Sequence, residues 1–207
     1  MTTTTSSATQ YYYPTAGTDY YLIAKHSGKA LAVNGQSTAD GANIVQWSNQ
    51  QADHFKWRLE DAGQGYFYLT AKHSGKALAV NGERIEDGAN IGQWSSKHVD
   101  HFKWKLEDAG GGYFYLIAKH SGKALAVDGQ STADGANIVQ WSNQQANHFQ
   151  WKFELATLPA VGIDYYLIAK HSGKALAVNG QSTLDGANIV QWSNQQANHF
   201  QWQFVVV

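Results

Sequence analysis

Cysteine is absent from all 207 residues, which removes disulfide frameworks, thiolate metal sites and cysteine nucleophiles together. Charge is sparse as well: 15 Lys and Arg stand against 16 Asp and Glu, leaving a net charge of −1. A chain so poor in basic residues cannot displace counterions from a phosphate backbone, so nucleic acid is excluded as a partner. A polybasic membrane-surface anchor is excluded on the same ground. No apolar run approaches the roughly 18 residues of a membrane-spanning helix, so no membrane insertion is expected. Residues Met1–Gln10 are rich in Thr and Ser and lack the basic start and apolar stretch of a signal peptide. A cytoplasmic or non-classically released protein is the expectation.

What the chain has in plenty is aromatics and glycine: eight Trp, eleven Tyr and twenty Gly, with only two prolines. These suit short strands joined by tight turns. The string A-K-H-S-G-K-A-L-A-V begins at Ala24, Ala71, Ala118 and Ala169, at steps of 47, 47 and 51 residues. Each copy continues through D-G-A-N-I and Q-W-S to H-F-x-W. Within one copy the punctuation by Gly, Asn and Asp predicts four strands, at 21–25, 30–33, 43–47 and 55–59. No segment carries helical periodicity over ten residues, and the chain is read as all-β. Glu60 and Asp61 are placed in a turn between copies.

The joints are more informative than the repeats. The first two repeats run into their successors through L-E-D-A-G-x-G-Y-F-Y-L, from Leu59 and from Leu106. The first and fourth are instead approached through P-x-x-G-x-D-Y-Y, from Pro14 and from Pro159, and the third and fourth both close on H-F-Q-W-x-F. The fourth repeat is therefore written as a beginning and an end, which groups the repeats as three plus one. The expected organisation is a flexible Thr/Ser-rich tail (1–14), a body of three repeats (20–65, 66–112 and 113–154, within 15–154), a linker (155–164) and a fourth repeat (165–207). Some forty residues with one apolar face rarely fold alone. A homo-oligomer through the fourth repeat is expected, as a closed trimer or a filament, with a fourfold ring within one chain as a further option.

A unit of the form Y-L-I-x-K-H-S-G-K-x-L-x-V, then S-T-A-D-G-A-N-I-x-Q-W, then a closing x-x-W resembles the ricin-B-type lectin repeat, and the resemblance spans roughly residues 20–207. It implies a β-trefoil, six strands in a barrel and six capping it, with a shallow site for sugars of galactose type on each repeat. It also implies an Asp between Leu and Val of the second strand and a closing Q-x-W. Here Ala32, Ala79, Ala126 and Ala177 stand at the first position, and Phe55, Phe102, Phe149 and Phe200 replace the Gln.

Trp47, Trp94, Trp141 and Trp192 fall where the family places its sugar-stacking aromatic. Trp57, Trp104, Trp151 and Trp202 fall in the closing motif and are expected in the core. Around the first set, the candidate sugar-binding polar residues are Asn34, Asp53 and His54; Asp128, Asn147 and His148; and Asn179, Asn198 and His199. The second repeat departs most, with Glu83–Glu86 and Gly92 for residues conserved in type elsewhere and Lys97-His98-Val99 in its loop. Its groove is expected to differ or to be dead. The nine histidines lack metal-ligand spacing. No nucleophile stands beside a base in a catalytic arrangement, so neither metal, cofactor nor enzymatic activity is expected. The expected function is multivalent glycan binding through weak repeated sites. The alternative is a self-assembling structural module whose sugar sites are lost.

Overall fold

The computed structural model describes residues 13–95, 98–156, 164–169, 171–193 and 197–204. The tail up to Tyr12, Lys97 and residues 157–163 of the expected linker lie outside them. The chain divides into two compact units, with the boundary between Ala156 and Thr157. Among the described residues every regular element is a strand or a three-residue 3-10 turn.

Twelve strands build the first unit: β1 Asp19–Ala24, β2 Ala30–Val33, β3 Ala42–Trp47, β4 Trp57–Gly63, β5 Tyr66–Ala71, β6 Ala77–Val80, β7 Ala89–Trp94, β8 Trp104–Gly110, β9 Tyr113–Ala118, β10 Ala124–Val127, β11 Ile138–Trp141 and β12 Trp151–Leu155. Six of them pair around a closed ring, β1–β4–β5–β8–β9–β12 and back to β1. Closure leaves no barrel edge to be protected. The hairpins β2–β3, β6–β7 and β10–β11 form a cap, joined through β3–β7, β7–β11 and a bridge from Val45 to Asn137. Six barrel strands and six cap strands about a threefold axis make a β-trefoil.

Two expectations are corrected by this geometry. Residues 53–55 form a 3-10 turn, and the closing strand starts at Trp57 rather than Phe55. That strand also runs on to Gly63, so Glu60 and Asp61 are strand residues, not turn residues. The barrel hairpins β4–β5 and β8–β9 straddle the boundary between repeats, and the turn lies only at Gln64-Gly65. Asp61 instead helps end the strand, accepting the Gly63 N–H at 2.9 Å beside the bulge.

Alternation along the strands fills the barrel. Leu22, Trp57, Leu59, Leu69, Trp104, Leu106, Leu116 and Trp151 point into one central cluster, each burial worth about 1.5–3 kcal/mol. Three of the four Trp of the closing motif, Trp57, Trp104 and Trp151, are in this core, as expected, and donate their indole N–H to Leu31 O, Leu78 O and Leu125 O at 3.0–3.1 Å. Rings of Tyr20, Phe114 and Phe153 meet edge to face across the barrel. Tyr13 lies against them, 5.1 Å from Phe114 and donating to Leu106 O at 2.9 Å.

Neighbouring repeats are joined by one latch used three times. The strap Ser131–Gly135 of the third repeat crosses to the first, where Gln46, wholly buried, donates its amide to Ser131 O (2.7 Å) and Ala133 O (3.1 Å) and accepts from Ser27 Oγ (2.7 Å). Asp134 receives Lys29 Nζ and the Ser48 N–H, both at 2.7 Å. The strap of the first repeat docks likewise on Ser74, Lys76, Gln93 and Ser95, and that of the second on Ser121, Lys123, Gln140 and Ser142. On the axis, Asn43 donates to Asn137, Asn137 to Asn90 and Asn90 to Asn43, each at 2.9 Å. The ring of amides closes after three members.

The second unit is one repeat: β13 Asp164–Tyr166 pairs with β16 Gln201–Gln203, and β14 Ala175–Val178 with β15 Ile189–Trp192. Its local cluster of Ala175, Ala177 and Phe200 is formed. Among the described residues the unit builds no central core, and Trp202, expected in one, is only half-buried.

Replacing Gln93 with Leu, close in size, strands Ser74 and the Ala39 carbonyl in the buried latch. The expected cost is about 1–3 kcal/mol, read as a drop in the free energy of urea unfolding. An unchanged value would mean the latch holds little.

Candidate functional site

Each Q-W-S segment puts an indole at the end of a cap strand, and in the first unit the strap of the neighbouring repeat braces one face. A Cβ added to Gly135 would lie 3.3 Å from the Trp47 ring, and Gly41 and Gly88 stand in the same way against Trp94 and Trp141. These glycines have φ of +76 to +83°, so both backbone and indole demand the absent side chain. The other face of Trp47 is open, leaving the residue 37% exposed.

That open face looks into a groove of ≈ 260 Å³ bounded by Asn34, Gln36, Val45, Gln50 and His54. The third repeat repeats it at ≈ 250 Å³ with Trp141, Asp128, Gln130, Val139, Gln144 and His148. The fourth has Trp192, Asn179, Gln181, Val190 and His199 around ≈ 290 Å³. The turn that supplies Asn34 is formed by Asn34–Gln36, in which Gly35 and Gln36 take φ of +60 and +56°. For a Gln this left-handed backbone costs about 1–3 kcal/mol, the strain often found at functional positions.

Of the candidates from sequence, Asn34, Trp47 and His54 come together at one groove, as do Asp128, Trp141 and His148, and Asn179, Trp192 and His199. Asp53, Asn147 and Asn198 do not line the grooves: they open the 3-10 turns before the closing strands. Asp53 is engaged by Lys56 at 2.9 Å, which holds its carboxyl below the usual range. The groove residues that sequence reasoning passed over are Gln36 and Val45 and their counterparts. The signal for Gln36 was its place directly after the Asn-Gly turn. Gln46, next to Trp47 in the sequence, is spent wholly on the latch.

The second repeat is rebuilt. Gly92 stands where Val45 stands in the first, and a Cβ there would meet Asn81 Oδ1 at 2.5 Å. Asn81 fills that room and accepts the Trp94 indole N–H at 2.8 Å. Glu83 turns to His101 at 3.4 Å. Trp94 is thus present, but its polar edge is already satisfied.

The Ala and Phe substitutions prove to be one paired change. Ala32 and Phe55 are both buried and pack together with Tyr21 and Ala30, and the other repeats pair Ala79 with Phe102, Ala126 with Phe149 and Ala177 with Phe200. A carboxylate at this depth beside a phenyl ring would be an unpartnered buried charge. The floor of the groove is apolar, and its polar groups lie at the rim.

His54 and His148 are held below the ordinary value of 6.5, first by burial and then by the facing His73 and His26 of adjacent repeats, about 6.2 Å away between ring centroids. His101 is lowered by burial, with Glu83 opposing. At neutral pH these rings are uncharged and offer one donor and one acceptor each. Among the described residues no group of three or more His, Cys, Asp or Glu could hold a metal ion, and no helix is long and apolar enough to cross a membrane.

A closed threefold barrel carrying a shallow aromatic groove on its repeats defines a β-trefoil binding protein. The chain belongs to the ricin-type beta-trefoil lectin domain-like family, whose model matches residues 8–94, 100–163 and 150–207. Among solved structures it is similar to ThreeFoil, a designed 3-fold symmetric protein, at 50% identity over 65% of this chain and 96% of that one, with a TM-score of 0.64. It is also similar to 1,3Gal43A, an exo-beta-1,3-galactanase from Clostridium thermocellum (38% identity, TM-score 0.66), matching 69% of this chain but only 31% of that enzyme. The Macrolepiota procera ricin B-like lectin, solved in complex with lactose, shares the fold at 17% identity over 70% of this chain and 99% of that one, with a TM-score of 0.61. A comparison with curated proteins finds no match.

Acid should lower the stability of the protein in two pH windows. The histidines His54, His101 and His148 are depressed in the fold, so the unfolded chain takes up protons first, and stability falls as pH drops below about 6.5. Asp40, Asp87 and Asp134, lowered from 3.8 chiefly by Lys76, Lys123 and Lys29, add stability above 3.8 that is lost as pH falls through their folded values. Urea unfolding across pH should show both declines. Replacing the three histidines with Gln should abolish the upper one, and its persistence would refute the assignment.

Proposed function

We propose that the chain is a non-enzymatic, multivalent carbohydrate-binding protein that takes galactose-type sugars in the grooves at Trp47, Trp141 and Trp192. The observation that carries this reading is the open indole face set above a polar rim of amide and imidazole groups, in two closely alike copies on one trefoil. A pyranose has the matching chemistry, an apolar C–H face for the indole and hydroxyls for the rim. Asn34, Gln36, Gln50 and His54 supply donors and acceptors, and in the third repeat Asp128 adds a carboxylate acceptor. Each such hydrogen bond nets about 0.5–1.5 kcal/mol, so single sites are weak and linked copies raise the apparent affinity.

Family membership supports carbohydrate binding in general. The galactose preference is supported by neighbours solved with lactose, with GalNAc and with a Neu5Ac-galactose epitope. Hydrolysis of a glycoside requires two carboxylates across the bond, and no carboxylate lines the first groove while one lines the third. The same reading includes a homo-oligomer through the fourth repeat, which multiplies the sites.

Titration calorimetry with lactose, beside a glycan array, tests the proposal. Trp47→Ala and Trp141→Ala should each remove one site, weakening that site at least about tenfold, or ~1.4 kcal/mol, while the far-ultraviolet circular dichroism stays unchanged. A folded wild type silent on the whole array would defeat the reading and favour the structural module. Gly92→Val should expel Asn81 from beneath Trp94, free its indole N–H and raise the stoichiometry by one site per chain.

A further inference from the structure

We infer that the fourth repeats of three chains latch head to tail into one additional β-trefoil, and that the groove at Trp192 is completed only there, by a neighbouring chain. The inference starts from a mismatch within the fourth repeat. It carries both halves of the latch: a receptor of Lys174, Gln191, Trp192 and Ser193, and a strap ending in Asp185-Gly186. The receptor is already set, with Ser172 Oγ donating to Gln191 Oε1 at 2.7 Å, the same bond that fixes Gln46. Yet among the described residues Gln191 has no acceptor for its amide N–H groups, and neither Lys174 nor Asp185 forms an ion pair. Gln191 is exposed where Gln46, Gln93 and Gln140 are wholly buried.

The two halves cannot satisfy each other inside one repeat. In the first unit every strap crosses to a different repeat, and all three receptors there are filled, so that unit has no strap to spare. The complementary surface that remains is the fourth repeat of another chain. The apolar face agrees: Ile189 is 43% exposed where Ile44 is wholly buried, and Leu167 and Phe204 are open where Leu22 and Leu59 are not. Of these strands β14 is bridged on its second edge by Ile168, whereas β13, β15 and β16 each pair along one edge only, so their outer edges await neighbours.

The number is set by the same geometry. Head-to-tail contact makes a ring only if the rotation closes, and in the first unit this rotation closes after three repeats, with the amide ring of Asn43, Asn90 and Asn137 on its axis. Asn188 stands at the matching position, exposed. Closure also finishes the groove. Trp47 is braced by Gly135 of an adjacent repeat, whereas Trp192, without a brace, is 59% exposed. In the trimer Gly186 of one neighbouring chain fills that role, and the imidazole of His171 of the other neighbour faces His199 as His26 faces His148.

Only the sugar at Trp192 rests on the glycan-binding reading; assembly is measured without sugar. Light scattering on the full chain should give about three times its 22.8 kDa, and Asp185→Lys, which places like charge against Lys174, should give a monomer whose first unit is unaltered. A wild type that is a monomer, a dimer or an open polymer overturns the inference, as does a trimer indifferent to Asp185→Lys. Because the chain has no cysteine, the pair Asp185→Cys and Ser193→Cys reports the contact directly: a short dimaleimide should yield cross-linked species that stop at the trimer. A ladder running past the trimer, or none, overturns it. A trimer that binds no lactose leaves the assembly standing and removes only the function assigned to its grooves.

Discussion

The structure depends on one interaction, the docking of a five-residue strap onto the Gln, Trp and Ser of the next repeat. No repeat can bury its own apolar face, so the core exists only when neighbours hold each other in place. The latch does this with a wholly buried amide that leaves neither its donors nor its acceptor unused and with a carboxylate gripped by a lysine and a serine. A half-satisfied version would be worse than none. That condition explains why the Ser, Lys and Gln of the receptor and the Asp and Gly of the strap recur in every copy, while the second strap changes at Arg84–Glu86, where only backbone carbonyls meet the Gln.

The latch also builds the candidate site. The strap glycine that closes the joint lies flat against the indole and leaves its other face outward. One side of the Trp thus belongs to the neighbouring repeat, and the other is the side that the proposed function gives to the sugar. The facing histidines follow the same plan, one from each of two repeats, so the rim of a groove is supported from across the joint. A groove of this construction cannot be whole in a lone repeat.

Variation between repeats is concentrated at the rim and has local physical effects. Losing the Val side chain at Gly92 drew Asn81 inward and consumed the indole N–H of Trp94. Asp128 for Asn34 changes the third rim from amide to carboxylate without moving the backbone turn. The Ala and Phe exchange beneath every groove replaces a polar floor by a packed one. It is conserved in type across all four copies because the two residues fill the same space.

Much was legible in the residues themselves. The strict recurrence of A-K-H-S-G-K-A-L-A-V and Q-W-S fixed the number of repeats, and the Gly and Asn punctuation placed the cap strands nearly to the residue, since turn chemistry is local. At the joints, P-x-x-G-x-D-Y-Y and L-E-D-A-G-x-G-Y-F-Y-L are different local instructions, and the three-plus-one grouping was read from them. Tertiary structure alone decided that Glu60 and Asp61 extend a barrel strand, that Asp53 answers Lys56 rather than the groove, and that Gln46 is a buried latch. It also gave K-H-S-G-K and S-T-A-D-G their meaning as two halves of one contact. Spacing within a repeat cannot show this, because each half meets its partner on a different repeat, and such contacts exist only once the threefold ring has closed.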